Sequence, residues 1–432
     1  MADTQTFEGI MKDVFENEVA EGVNNKFPLK DMFRTQTKGF KGRQIVRGFH
    51  HTRNASPMAT GERGAFPEAE PQGHAQFTIG QKKLMARAEI TWEGSVDAAG
   101  GEASFVQGKK DEFKRLIDDI ARRDEHYLAG YGSGILAFLD GEPGTDADEV
   151  ELDAPGGIAG DNFGNRYVDK NMWVGAVNPA TGVLRSGVVK VNSVNSDGTG
   201  FTPSAAIDTA WADNDYLVQV AGSGTTDVLD TSYEHAWWGL MALIDDGTYR
   251  DNYFSLLRSV HDALKSYVLG STGAISMDLL QRVSDILDQK LGGRVDRIVS
   301  HHSVRRLYLQ ITEADRRYSG NSLKSPDHGT VAFKQGDLTV GEVKYSAIRT
   351  FPLATMMLLD TANSDFVKYE SESGKFVDED GNMLVRIGTG SSARDAFEAW
   401  YRMRKQYFCE NPGYNARLDG ITGQTLVVQR DY

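Results

Sequence analysis

The chain has a single cysteine, Cys409, so it can hold no internal disulfide. Tyr407 and Phe408 beside it read as the surroundings of a buried, inert thiol. No run approaches the roughly 18 apolar residues that a bilayer-crossing helix needs. Positive charge is short as well: 47 Lys and Arg stand against 61 Asp and Glu, leaving a net charge of −14. That balance excludes general affinity of the whole chain for a phosphate backbone, although local basic patches are compatible with it. The opening Met1-Ala2-Asp3-Thr4 lacks the basic region and following apolar stretch of a signal peptide, so a soluble chain made in a cytoplasm is expected. No internal repeat and no low-complexity tract interrupts it.

What is present is enough apolar content, 40% of 432 residues, to bury more than one core. Ile10, Met11, Val14 and Phe15 fall at helical spacing and predict a short amphipathic helix over 7–23, followed by an extended connector over 30–42. Between Arg43 and Gly94 the chain alternates as strands do at both ends, in 43–49, 75–79 and 84–92. The bend from His50 to His74 holds Gly61, Gly64, Gly73, Pro57, Pro67 and Pro71. A two-stranded hairpin is marginal in water unless something covers it, so this segment predicts assembly before it predicts catalysis.

From Glu102 to Leu128 the residues Phe113, Leu116, Ile117, Ile120 and Tyr127 form one apolar stripe, which predicts a helix of about 40 Å stopped by Gly130 in a left-handed cap. Residues 140–230 turn to Gly, Asp, Asn, Thr and Val with short alternating runs at 172–177, 187–194 and 216–220, the pattern of an inserted β subdomain. Helices are expected at 253–268, at 276–291 closed by Gly292-Gly293, and around Val304, Leu307, Tyr308 and Ile311. Strands are expected at 295–299, 340–347 and 356–359, giving a mixed α/β layer. A last strand with two differently surfaced faces runs through 393–408.

The usual signatures of chemistry do not converge. Asp118-Asp119 and Asp245-Asp246 are sequence neighbours, which point about 100° apart on a helix. Among nine histidines, His50-His51 and His301-His302 are adjacent, yet no His-Glu-x-x-His or Cys-x-x-Cys spacing accompanies them, so they read as surface or hydrogen-bonded core residues. Gly130-Tyr131-Gly132-Ser133-Gly134 follows a helix and lacks the Gly-Lys-Ser ending of a phosphate loop; it also fails as a nucleophile elbow. The expectation is therefore a non-enzyme with no catalytic residue, no cofactor and no metal site.

Several segments carry a family resemblance in combination. They are Arg53-Asn54-Ala55 with Gly61-Glu62-Arg63-Gly64-Ala65-Phe66-Pro67-Glu68-Ala69, then Gln72, Lys82-Lys83 and Ala88-Glu89-Ile90-Thr91. Further along come Arg122 to Gly132, Tyr233 to Gly247, and Gln406 to Asn411-Pro412. In this order the chain resembles the major capsid protein of tailed double-stranded-DNA bacteriophages, with the Hong Kong 97-type α+β fold. The resemblance implies an N-terminal arm over 1–38, an extended loop over 39–94 and a peripheral domain with spine helix over 95–139. It further implies a β-rich insert over 140–230, an axial domain over 231–391 and a return strand with the C-terminus over 392–432.

By the same resemblance Phe15, Phe49, Arg53, Phe66, Phe77 and Trp92 would touch neighbouring subunits, while Gly94, Gly101, Gly130 and Gly132 would act as hinges. Lys82 or Lys83 would be the only candidates for a covalent link to a neighbour. The implied partners are copies of the chain in pentamers and hexamers, a separate scaffolding protein, a portal and a decoration protein. The shell would enclose DNA without reading its sequence, in a virion assembled in the host cytoplasm, with no membrane. A nanocompartment shell of the same fold is the alternative; a β-rich extracellular binding protein or carbohydrate-active enzyme would need a secretion signal and convergent carboxylates.

Overall fold

The computed structural model describes residues 28–36, 42–91, 108–143, 149–158, 160–161, 163–207, 210–222, 230–313, 338–340, 343–376, 385–387 and 394–423. Among them lie five helices and 21 strands in a mixed α/β arrangement. The expected helix over 7–23 lies outside the described residues.

The strand Ala396–Cys409 organises the first sheet. It pairs antiparallel with Lys82–Thr91 along one edge and, along the other, with Phe366–Phe376 and then Val385–Arg386. Arg34–Gln36 adds in parallel to Phe366–Phe376. Buried and half-buried residues alternate from Ala399 to Arg402, but everything from Lys405 to Cys409 is buried. The strand is therefore half-buried over its first part and buried on both faces at its end. Strand Phe366–Phe376, numbered within the expected axial domain, belongs by its pairing to this layer.

A second sheet of six strands runs in the order Tyr267–Leu269, Ala416–Leu418, Met356–Leu359, Arg297–Ser300, Val343–Ala347 and Leu338–Val340. Its two faces separate by the period of two: Ile298, Met356 and Leu358 join Leu280, Val283, Leu287, Val304 and Tyr308 of helices Met277–Leu291 and His302–Glu313. Val299, Met357 and Leu359 point the other way, into the central core. Ser276 starts the first of these helices by accepting a bond from Leu279 N at 3.1 Å, and left-handed Gly292 ends it.

The third unit is a closed six-stranded barrel. Its strands are Ile135–Leu139, Val150–Asp153, Trp173–Val177, Val189–Val194, Gly200–Pro203 and Tyr216–Gln219. Val150, Leu152, Val174, Ala176, Val191, Phe201, Trp211 and Leu217 fill it. Closure removes the exposed edges that so short a set of strands would otherwise present. Ile135–Leu139, numbered with the peripheral domain by expectation, is a barrel strand.

Two expectations are corrected. Residues 253–268 form no helix: the chain makes the hairpin Asn252–Tyr253 with Leu256–Leu257, a 3-10 turn Asp262–Leu264 and the strand Tyr267–Leu269. The helical spacing was accidental, since Tyr253 and Leu264 are buried whereas Leu257 and Val260 face solvent. The long helix, described as Gly108–Ala129, or about 33 Å, does end before Gly130, but Gly130 is not left-handed; the reversal falls at Gly132, φ 72°. Replacing Trp211, which is fully buried and donates Nε1 to Ser186 O at 3.0 Å, with Ala is expected to cost about 3–5 kcal/mol in a denaturant melt.

Candidate assembly surface

Strands Gln44–Thr52 and Gly73–Gly80 pair antiparallel into an isolated two-stranded ribbon. At its neck the ribbon is built into the body. Phe49, Phe77 and Ile79 are buried, and the Phe77 ring lies 5.2 Å from Phe408 and 5.9 Å from Tyr253. Arg47 donates to Tyr369 Oη at 2.9 Å and pairs with Glu410. The hairpin around Phe254 and Ser255, both left-handed, grips the edge: Thr78 N donates to Phe254 O at 2.9 Å and Ser255 Oγ to Gln76 O at 3.2 Å. A bulky residue at positive φ is strained, and the strain is held by these bonds and by Phe254 stacking on Trp238 at 4.3 Å.

Beyond the neck nothing among the described residues covers the ribbon. Every residue from 52 to 72 is exposed except half-buried Asn54 and Ser56. Phe66 is 100% exposed and Met58 62%. Lone exposed apolar residues are ordinary, but a wholly bare phenylalanine on a projecting turn is the pattern of a surface completed by another molecule.

Behind the neck lies a buried junction. Asp124, in the last turns of the long helix, takes Lys405 and Tyr407 of the strand Ala396–Cys409, with the Tyr407 hydroxyl at 3.2 Å, and is also approached by Lys30 Nζ at 3.2 Å. Lys405 also sits over the Trp237 ring at 4.5 Å, and burial pulls its pKa down to about 8. Next to Asp124, Glu125 Oε1 accepts from Leu29 N at 3.0 Å, and burial pushes its carboxyl up to about 7. A second knot joins the six-stranded sheet to the helical turn Leu240–Leu243. Fully buried Arg258 donates to Ala242 O and Leu243 O, Arg417 donates to Met241 O and Ile244 O, and Asp245 accepts from both arginines. Asp245 is thus structural, satisfying two cations that satisfy the last carbonyls of a helix.

The expected contact and hinge residues fall into three groups. Phe15, Trp92, Gly94 and Gly101 lie outside the described residues. Arg53 and Phe66 lie on the bare tip. Phe49 and Phe77 are corrected: alternation along the strands turns both inward, to 8% and 0% exposure, so they are core residues of their own chain. Gly132 is corrected too, because a Cβ there would sit 2.2 Å from Trp237 O. Its glycine serves close approach, which fixes the backbone instead of freeing it. Gly130 is buried, and a Cβ there would meet His126 O at 3.6 Å.

Sequence reasoning missed the Asp124–Lys405 and Asp245–Arg258–Arg417 knots, whose members lie far apart along the chain and carry no spacing signal. A cleft of about 640 Å³ between Lys83–Ala86, the long helix and the barrel holds Arg123 against Asp169 at 3.2 Å, with no convergent catalytic set. No group of three or more His, Cys, Asp or Glu side chains suited to a metal occurs among the described residues.

No protein-family model matches the sequence, and no curated protein matches it. Solved structures do match in fold. A chain of the cyanophage A-1(L) capsid asymmetric unit aligns with a TM-score of 0.56 at 10% identity, over 98% of this chain and 100% of that one. A chain from the capsid of the native GTA particle aligns at 0.49 and 11% identity over 96% of each, and one from Microbacterium phage Oxtober96 at 0.49 and 8% over 98% and 100%. The first of these shows that the chain has the fold of a phage capsid chain.

The folded Glu125 carboxyl keeps its proton to about pH 7, against an ordinary value of 4.5. That contribution to stability is complete below pH 4.5 and is lost as pH rises through 7. Glu125→Gln retains the acceptor for Leu29 N and stays neutral. It is expected to match the parent at pH 5 and to exceed it by about 1–3 kcal/mol at pH 8, read from paired denaturant melts. Lys405→Ala, by contrast, takes the buried cation from Asp124, leaving it only half-buried Lys30 and the Tyr407 hydroxyl, and is expected to cost about 3 kcal/mol.

Proposed function

We propose that this chain is the major capsid protein of a tailed double-stranded-DNA phage, of the Hong Kong 97-type fold, whose copies close into a shell of pentamers and hexamers around the genome. The observation that carries the reading is the end-to-end likeness to a cyanophage capsid chain. The bare ribbon tip of 52–72 supports it, as a segment that the other described residues leave uncovered.

In this reading residues 1–38 form the arm and the ribbon is the extended loop, both lying across neighbouring copies. The long helix and the sheet around Ala396–Cys409 form the peripheral domain, the six-stranded sheet with its helices forms the axial domain, and the barrel is an insert. Arg53, Phe66 and Met58 then meet the neighbour. The chain is structural and carries out no reaction. Scaffolding and portal functions come from separate proteins, and the shell forms in the host cytoplasm.

A net charge of −14 per copy opposes assembly. Apolar contact must therefore offset a repulsion that salt weakens. Interfaces of obligate size, above about 2,000 Å² in sum, supply it.

Deleting 52–72 is expected to abolish particles while leaving a folded, soluble subunit. The sharper variant is Phe66→Asp. Because the ring is fully exposed among the described residues, the subunit should melt within about 0.5 kcal/mol of the parent, yet closed particles seen by negative-stain imaging and sedimentation should fall at least tenfold. Normal shells from either variant contradict the reading.

A further inference from the structure

Four of the nine histidines gather at the ribbon neck in two pairs that no sequence spacing announces. His50 and His74 are direct cross-strand partners with ring centres 5.1 Å apart. His51, the next residue and so on the opposite face, has its ring 4.6 Å from that of His261, which belongs to the body. All but half-buried His261 are exposed.

Each His51–His261 feature orients a ring. His51 Nδ1 is engaged by Thr52 Oγ1 at 2.6 Å, which leaves Nε2 as its open nitrogen. The ring lies against Gly73, where a Cβ would meet its Cε1 at 2.7 Å, so the glycine makes the seat. Phe49 flanks both rings, 6.4 Å from His51 and 6.3 Å from His261.

Two imidazoles that share one ion at about 2.0–2.1 Å per nitrogen, with an angle of about 90–110° at the metal, place their ring centres about 4.5–5.2 Å apart. Both observed separations fall in that interval. The donor set is all nitrogen, which suits Zn²⁺, Ni²⁺ or Cu²⁺ and not Mg²⁺ or Ca²⁺. A hydrogen bond at the second ring nitrogen, as Thr52 makes, is the usual support of a ligating histidine.

We infer that the ribbon neck binds divalent transition-metal ions, one between His51 and His261 that ties the ribbon to the body, and one between His50 and His74 that ties its two strands. Two protein ligands are fewer than the three or four of a resident ion. The sites are therefore exchangeable, and the remaining positions go to water or to a neighbouring copy. The inference does not depend on the shell reading.

The test is calorimetric titration of the full-length subunit with Zn²⁺ or Ni²⁺, with Mg²⁺ as the control for general attraction to an acidic chain. His261→Ala and His74→Ala should each bind one ion fewer than the parent, and the double variant two fewer. His235→Ala, away from the neck, should bind as many as the parent. Zn²⁺ should raise the melting temperature of the parent more than that of His261→Ala. Unchanged stoichiometry in His261→Ala and His74→Ala, no Zn²⁺ binding by the parent, or equal binding of Mg²⁺ overturns the inference.

Discussion

A two-stranded ribbon has no second layer, so whatever apolar surface it carries must be covered by something else. The chain resolves this at one end only. The neck sinks Phe49, Phe77 and Ile79 into the same core as Tyr253 and Phe408, and the hairpin at Phe254 and Ser255 locks its edge. The other end presents Phe66 and Met58 to solvent. An element anchored so firmly at its base and so poorly at its tip is a projection with an open requirement, and the proposed shell role would meet it.

Buried charge joins the elements of the body from which the projection springs. Asp124 gathers Lys30, Lys405 and Tyr407, and so ties the segment after residue 27, the long helix and the central strand at one point. Asp245, Arg258 and Arg417 do the same for the helical turn and the six-stranded sheet. Buried ion pairs add little net stability, because desolvation offsets their attraction. Their effect here is on register: any other alignment of these elements would leave a buried charge alone. The neck contacts of Arg47 with Tyr369 and Glu410 extend the same logic to the ribbon.

Much of this was legible in the residues. Period-two alternation marked the ribbon strands, the strand ending at Cys409 and the barrel runs near 172, 189 and 216; period 3.6 marked the long helix and both helices on the six-stranded sheet. A mixture of helices and strands followed from those pieces, and the likeness to phage capsid chains from the resemblance carried by segments such as Arg53-Asn54-Ala55 and Gln406 to Pro412. Periodicity failed where distant contacts decided. At 253–268 the left-handed Phe254 and Ser255 and the buried Arg258 answer to Thr78, Gln76 and the turn at 240–243, none of which is local. The family resemblance, which assigned Phe49 and Phe77 to a neighbour, tells that a loop projects and not which of its residues sink into their own core. Spacing also hid the histidine pairs, because His261 and His74 are brought to His51 and His50 only by the fold.

The central claim is that the tip of 52–72 is completed by other copies and not by its own chain. Hydrogen–deuterium exchange on the tip, compared between the isolated subunit and assembled particles, tests it most directly. The account predicts exchange at close to the unprotected rate in the isolated subunit, slowed at least tenfold in particles, with the neck protected in both. Equal protection of the tip in the two states would contradict it.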